Sequence, residues 1–417
     1  MAVQDTVQHP VIDPLLELDA SKARSMRLIT LVLAIACGAT VANLYYCQPL
    51  LPLLSDTFGV SQGTAAVVVT LTQLGYAFGM LFLLPLGDLL ENRKFASRTL
   101  LATTVALLIA AFAKDFALFA GMSVLIGVTS VVAQILIPFA AHLAPEAERG
   151  RFVGRVMSGL LLGILLARTV ASLVAAQWGW RSVYVISAVL MLATSLALVK
   201  VLPTHRPQTK AKYPQLLRSL GMLVRTEPAL RRRAACQALM FGTFSCFWTS
   251  IAYELIDEHG FSQTAIGLFA LVGAAGALAA PIAGRLADHG HSVIGSGSAI
   301  ALAFIAMLLA GFGSANIVVL AAAAVLLDLG VQGHQVFSQQ EIYSLRGDAR
   351  ARINTVFMTT VFIGGAIASG LSGLLHEQYG WRTVAFFGAC LPLVALSIWG
   401  VATLRRRSSR RLVSSPR

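Results

Sequence analysis

Residues 317–339 read IVVLAAAAVLLDLGVQGHQVFSQ, an apolar run with an acid set in its middle. An ionised carboxylate at the centre of a bilayer costs about 2.5–3.5 kcal/mol on insertion scales, so Asp328 needs water, a partner or a proton. At helical spacing Gln332, Gln335 and Gln339 fall on the face of Asp328, while Leu326, Leu327 and Val331 occupy other faces. Such a stripe reads as a cavity wall carrying a titratable group. The competing reading is a polar seam that glues helices together.

Composition says what solvent the chain sees. Of 417 residues 57% are hydrophobic and only 12% charged, the mean hydropathy is +0.75, and ordinary soluble domains carry about twice that charge. The formal net charge of +13 comes from basic residues clustered between apolar runs, a pattern that suits a membrane surface and not nucleic acid. Cys37, Cys47, Cys236, Cys246 and Cys390 all lie inside apolar runs without metal-ligand spacing, and read as small buried hydrophobes. No metal or cofactor is expected. Asp5, Asp13, Glu17 and Asp19 precede any apolar run, unlike the basic start of a signal peptide, so the leading helix is expected to stay attached.

Each crossing of a bilayer needs about 20 apolar residues. Twelve such runs are present, near 28–51, 64–90, 99–113, 116–140, 152–176 and 182–202, then 234–256, 264–287, 293–312, 317–339, 353–375 and 384–404. One side of this layout collects Lys22, Arg24, Arg27, Arg93, Lys94, Arg98, Arg149, Arg151, Arg155, Arg285, Arg346, Arg350, Arg352, the basic residues of the long gap and those of the tail. The other holds only Lys114, Arg181 and Arg382. The positive-inside bias therefore puts both termini in the cytoplasm of a bacterial-type inner membrane. The expected organisation is a cytoplasmic segment 1–27, a six-helix bundle 28–202, a cytoplasmic linker 203–233, a second bundle 234–404 and a basic tail 405–417. In the linker, a helix around Leu216 to Val224 is expected to lie on anionic headgroups.

The two bundles are copies. GWRSV at 179–183 recurs as GWRTV at 380–384, a shift of 201. The same shift carries Gly59, Ser61 and Gln62 onto Gly260, Ser262 and Gln263, Gln134 onto Gln335, Arg149 and Arg151 onto Arg350 and Arg352, and Gly163 onto Gly364. A shift of 197 matches Gly79, Gly87 and Glu91 to Gly276, Gly284 and Asp288. Parallel six-span repeats place a binding site at their interface near the bilayer midplane and rock to expose it to alternate sides. The fold class this implies is an all-α membrane protein of twelve transmembrane helices in two pseudo-symmetric bundles.

The membrane part resembles the major facilitator superfamily, in its twelve-helix branch of proton-coupled drug and sugar efflux permeases. The loop PLGDLLENRK at 85–94, its second-half counterpart GRLAD at 284–288 and the paired GWR turns carry the resemblance. The family's loop signature is Gly, three residues, an acid and then basic residues. Gly87 and Glu91 fit it with Glu for the usual Asp, Arg93 and Lys94 supply the bases, and the usual intervening glycine is absent. With Asp88 and Asp288, these residues are gate candidates, able to pair across the halves or with helix ends when the inner side closes.

The resemblance also implies that the first, fourth, seventh and tenth spans line the cavity. The first ends with Asn43, Tyr45, Tyr46 and Gln48, and two aromatics with polar tips suit a solute of mixed polarity; an interfacial tyrosine belt is the rival reading. Gln134 in the fourth span, Trp248 in the seventh and Gln332 and Gln335 in the tenth complete the candidate substrate site. Arg168 is the single basic residue deep inside a span, roughly 20 Å beyond Arg151 and Arg155 at 1.5 Å per residue. It is either a counter-ion to Asp328 or the anchor for a substrate anion.

Two departures from such permeases stand out. The fourth-span arginine four residues before a glycine is Ser123 here, and the fifth span reads GILLARTVAS where a glycine and proline-rich motif is usual. HExxH, GxSxG and paired intramembrane carboxylates are absent from the sequence, so an enzyme is not expected. The expectation is a monomeric secondary transporter, most simply exporting small organic molecules against protons through Asp328 and Arg168. The alternatives are proton-coupled uptake and a non-transporting receptor of the same fold.

Overall fold

The computed structural model describes residues 14–144, 148–204, 206 and 211–413. Nine helices among them are long and apolar enough to cross a bilayer. One of these, Arg350–Leu404, is two spans joined end to end, since Gly380 (φ 75°) breaks the helix where GWRTV begins. The shorter apolar helices Met26–Ala42 and Gln263–Ala274 fall in the first and eighth positions, which is consistent with the expected set of twelve. The protein is an all-helical membrane bundle.

The repeat explains the turns. Gly59 and Gly260 (φ 62° and 63°) sit in the left-handed region just before the second and eighth spans, and Gly179 and Gly380 (φ 77° and 75°) before the sixth and twelfth. A side chain at φ > 0 is strained, so glycine recurs at these corners. The tryptophan after each second glycine fixes the corner: Trp180 Nε1 donates to Thr57 Oγ1 (2.9 Å) and Trp381 Nε1 to the Ala310 carbonyl (2.8 Å). Ser61 and Ser262 then cap the next helices by accepting from the amides of Thr64 and Ala265.

Packing repeats as well. The first span lies against the fifth, the second against the fourth and the third against the sixth; the seventh, eighth and ninth pair likewise with the eleventh, tenth and twelfth. Lipid supplies no hydrophobic force between helices, so small residues that admit close backbones mark the contacts. A Cβ on Gly163 would lie 2.5 Å from Gly38 Cα, and one on Gly364 2.6 Å from the Ala238 carbonyl oxygen.

The halves meet through the second and eleventh spans and through the fifth and eighth. Away from the basic ends they are laced shut. Glu377 accepts from Ser61 Oγ and Gly63 N (both 2.9 Å), His376 Nδ1 donates to Gln62 Oε1 (3.0 Å), and Ser55 bonds Tyr253 (2.9 Å). Gln263 Nε2 reaches the Pro49 carbonyl (2.9 Å) and Ser172 Oγ (2.8 Å). Thus the glutamine after each capping serine crosses to the other half. Toward the basic ends the halves part around a cavity of about 700 Å³.

Several expectations are corrected. The first span does not run unbroken to residue 51: the helix Pro14–Ala42 stops, residues 43–47 form turns, and Leu51–Phe58 resumes the climb. The eighth span is helix Gln263–Ala270, a tighter 3₁₀ stretch Leu271–Leu278 and helix Ala279–Asp288. The seventh begins at Pro228, inside the expected linker. The linker helix Tyr213–Thr226 does not spend its apolar face on headgroups: Leu216, Leu220 and Leu223 are buried against the protein, Leu216 and Leu220 line the cavity, and Tyr213 donates to the Phe82 carbonyl (3.0 Å). Cys390 is exposed on the apolar surface, while the other four cysteines are buried as expected.

Gly163→Val should force the first and fifth spans apart and cost about 1–3 kcal/mol, as overpacking does. Thermal unfolding in detergent should show it as a lowered midpoint, and an unchanged midpoint would mean the contact is slack.

Candidate functional site

Asp328 stands about 11 residues into the helix Ile317–Tyr343, roughly 16 Å from its start at 1.5 Å per residue, hence near mid-bilayer. It is buried, and its Oδ1 accepts a bond from Trp248 Nε1 on the helix Pro228–Asp257 (3.0 Å). The other side of the same indole lies under Arg168, whose guanidinium carbon is 4.4 Å from the ring centroid. Trp248 is therefore wedged between a buried cation of the first half and a buried acid of the second.

The two charges make no ion pair within 4 Å, so neither the counter-ion nor the anion-anchor reading of Arg168 is decided by direct contact. They attract one another across the pocket that both line, with Arg168 over the face of the indole and Asp328 at its N–H edge. Stacking on aromatic faces suits a planar guanidinium that has little water around it. Arg168 has three such faces, Trp248 (4.4 Å), Tyr45 (4.9 Å) and Phe244 (5.0 Å), and its Nε donates to Gln48 Oε1 at 2.7 Å.

Local structure puts these groups together. The break at 43–47 turns Tyr45 and Gln48 toward the fifth span, where a continuous helix would carry Gln48 onward. The eighth span presses bare backbone onto the acid: a Cβ on Gly273 would stand 2.7 Å from Asp328 Oδ2, and one on Gly276 2.5 Å from Asp328 Cβ. The 201-residue shift sets Asp328 on Gly127. In the first half that position closes a glycine-mediated helix contact, with Gly127 against the Thr72 carbonyl. In the second it carries the carboxylate.

Arg168 and Asp328 both line a pocket of about 30 Å³, whose other walls are Leu161, Ile164, Leu165, Phe244, Gln332, Gly273 and Gly276. A run of ring contacts leads from it toward the wide cavity: Trp248 to Phe244 (6.3 Å), Phe241 (5.5 Å), Phe362 (5.0 Å) and Tyr76 (4.5 Å). Tyr76 accepts from Gln134 Nε2 (3.3 Å), and Gln134 is part of the cavity wall.

Of the candidates, Asp328, Arg168, Tyr45, Gln48, Trp248 and Gln332 converge, and Gln134 lies on the cavity that leads to them. Asn43 and Tyr46 do not join them. Asn43 accepts from Ser187 Oγ (2.7 Å) within the first half, and Tyr46 bonds the same serine. Both tyrosines are buried in protein and so form no lipid-interface belt. Gln335 is only partly buried and lies outside the pocket.

Gly87 and Asp88 line the wide cavity, as does Arg352 of the other half, which attracts Asp88. Glu91 pairs within its own loop, with Arg93 (3.5 Å) and Lys94 (3.6 Å), and Arg93 also holds the Leu202 carbonyl (3.2 Å). Asp288 is exposed at a helix end. No cluster that could hold a metal occurs among the described residues.

Three features escaped sequence reasoning. Phe241, Phe244 and Trp248 recur at helical spacing on one face, a legible signal that went unused. Gly273 and Gly276 mark close approach to the acid. Glu341 binds Arg232 and the buried Arg233, which also donates to Ser296 (2.7 Å), and His334 bonds Gln237; both cluster toward the basic ends of the second half.

A two-bundle membrane protein, sealed at one end, open at the other and holding opposed charges at its centre, has the build of an alternating-access transporter. Comparison with known proteins gives the family: the sequence profile of the Major Facilitator Superfamily matches residues 31–339 and 234–416, and the chain belongs to that superfamily. It is 43% identical over 373 residues to YgaY of Escherichia coli (strain K12), covering 89% of this chain and 94% of that one, and 36% identical over 370 residues to SCO4007 of Streptomyces coelicolor, covering 88% and 86%. Both are named as transporters. Among solved structures, a bacterial homolog of the human lysosomal transporter Spinster, in an inward-facing and unoccupied conformation, superposes with a TM-score of 0.72 at 12% identity over 91% of this chain and 97% of that one. The protein is a membrane transporter of this superfamily.

Trp248→Phe keeps the ring but removes the donor to Asp328. It should cost about 1–2 kcal/mol of reversible unfolding stability, with Trp248→Ala costing more. Equal stability of the phenylalanine variant would show that the bond carries no weight.

Proposed function

We propose that this chain couples the movement of a small organic solute to protons across an inner membrane, by alternating access, with Asp328 as the group that carries the proton. The observation that supports this best is the placement of a buried carboxylate between the halves at mid-bilayer, bonded through Trp248 to the element that faces Arg168. A charged Asp328 balances Arg168 and holds the halves together through the indole. A neutral Asp328 relaxes that attraction, so the proton's arrival biases how the halves sit.

On the positive-inside rule the wide cavity faces the cytoplasm, and both termini and the linker lie on that side. Rocking to the other state breaks the Glu377, His376 and Tyr253 bonds and brings Asp88 toward Arg352. The linker helix, one wall of the cavity, moves with it.

Export in exchange for protons is the coupling that the efflux-permease resemblance implies, with solute and proton taking turns at Asp328. A second reading, uptake together with a proton, is favoured by one observation: Arg168 Nη2 and Gln48 Nε2 are buried donors with no hydrogen-bond partner.

Asp328→Asn should fold, lose accumulation driven by a pH gradient in liposomes, and keep exchange of solute at equal pH, for any solute that stabilises the purified wild-type protein. Accumulation at the wild-type rate in this variant would remove Asp328 from the coupling step. For the outer seal, Glu377→Ala should lose about 1 kcal/mol of hydrogen bonding, shifting the equilibrium away from the cavity-open state roughly fivefold. With Cys390 replaced by Ser and a cysteine at Asn354 in the cavity wall, labelling by an impermeant thiol reagent from the basic side should fall; unchanged labelling would mean that Glu377 does not hold the seal.

A further inference from the structure

The proton-coupling reading leaves the solute's chemistry open, and the buried polar atoms around Arg168 narrow it. Arg168 is 4% exposed. Its Nε is used by Gln48 Oε1 and its faces are covered by three rings, yet Nη2 has no partner. Gln48 is fully buried, and because its oxygen is taken by Arg168, its free atom is Nε2, which also has no partner. Both unfilled positions are donors. Buried donors left without acceptors are costly, and sites that carry them reject ligands that cannot accept from them.

The acid offers the opposite picture. Asp328 lines the pocket, but its Oδ1 already accepts the indole N–H and its Oδ2 lies close against Gly273, so the acid has one oxygen engaged and the other hemmed in on one side. The rest of the wall is Leu161, Ile164, Leu165 and Phe244, with Gln332 as its one further polar side chain.

We infer that the solute is an organic monoanion, its charged oxygens held by Arg168 Nη2 and Gln48 Nε2 and its apolar body lying along the Leu161, Ile164, Leu165 and Phe244 wall. This rests on the reading of the same site as a proton-coupled one. One guanidinium matches one negative charge, and a neutral carbonyl would fill the donors while leaving the charge unmatched. The present pocket of about 30 Å³ has room for no more than a water or two, so the solute gains room when the rings of Phe241, Phe244 and Phe362 shift toward the wide cavity.

The charge arithmetic also sets the sign of coupling. The charged or titratable groups facing Asp328 are Trp248-bound Arg168 and Tyr45, with Cys47 beyond Arg168. Once Asp328 is neutral, Arg168 is the uncompensated charge. Proton and anion therefore favour one another, which goes with the second coupling reading, in which they move together, and not with exchange.

The test uses the purified full-length protein and paired probes, aromatic and aliphatic monocarboxylates each set against its primary amide, read by thermal stabilisation at acid and alkaline pH. Carboxylates should stabilise the wild type more than their amides, and more strongly at the acid pH. Arg168→Gln should weaken binding about 30-fold or more, the loss that follows truncating one partner of a buried charge pair. Asp328→Asn should bind the carboxylate with no such pH dependence. The wild-type comparison decides the matter even where Arg168→Gln fails to fold.

A panel in which no carboxylate exceeds its amide overturns the inference, as does preference for amines. An amine or amide whose pH-driven uptake or export is lost in Asp328→Asn overturns the anion and leaves the coupling reading standing. A carboxylate that binds through Arg168 but moves independently of Asp328 supports the anion and removes the coupling reading.

Discussion

One aromatic ring keeps two buried charges apart and joined. The indole of Trp248 presents its face to the Arg168 guanidinium and its N–H to the Asp328 carboxylate, so each ion has a favourable neighbour in a place where water is scarce. A direct ion pair at the same depth would be tightly locked, since separating its partners in low dielectric is expensive. With the indole touching both and no direct contact between them, each charge keeps a favourable neighbour of its own. A moving carrier needs a centre of this kind, strong enough to order the site and weak enough to be reset.

The fold is built so that this centre lies on the boundary between the halves. Arg168, Tyr45 and Gln48 belong to the first half; Trp248 and Asp328 belong to the second. Glycines let the eighth span press directly on the acid, while the opposite end of the interface is closed by bonds between capping segments and the other half. The wide cavity begins where those bonds stop. A chain of phenylalanine and tyrosine rings lies between cavity and charges, a soft partition that side-chain rotation can open without breaking backbone bonds.

Much of the fold was legible because a duplicated bundle writes itself twice. GWRSV and GWRTV, Gly59 and Gly260, and Ser61-Gln62 and Ser262-Gln263 keep their places because a left-handed corner demands glycine and a helix start demands a cap. The lone charges were legible too, since an apolar run makes any ionisable residue conspicuous. Their arrangement was not. Helical spacing put Gln335 with Asp328, and the resemblance grouped Asn43 and Tyr46 with Gln48 at the end of the first span, but the turn at 43–47 redirects that end. Spacing within one helix also cannot say which side chain from another will come between Arg168 and Asp328. The amphipathic linker helix looked like a membrane-surface element because an apolar face reads alike whether lipid or protein covers it.

The account turns on Asp328 gaining and losing a proton in the folded protein. Infrared difference spectroscopy across a pH step, on purified protein in lipid, tests that directly. The account predicts a protonated-carboxyl band that grows toward acid pH in the wild type and is missing from Asp328→Asn. A band that is the same in both proteins, or an Asp328 that stays in one state throughout the range where the protein remains folded, would contradict it.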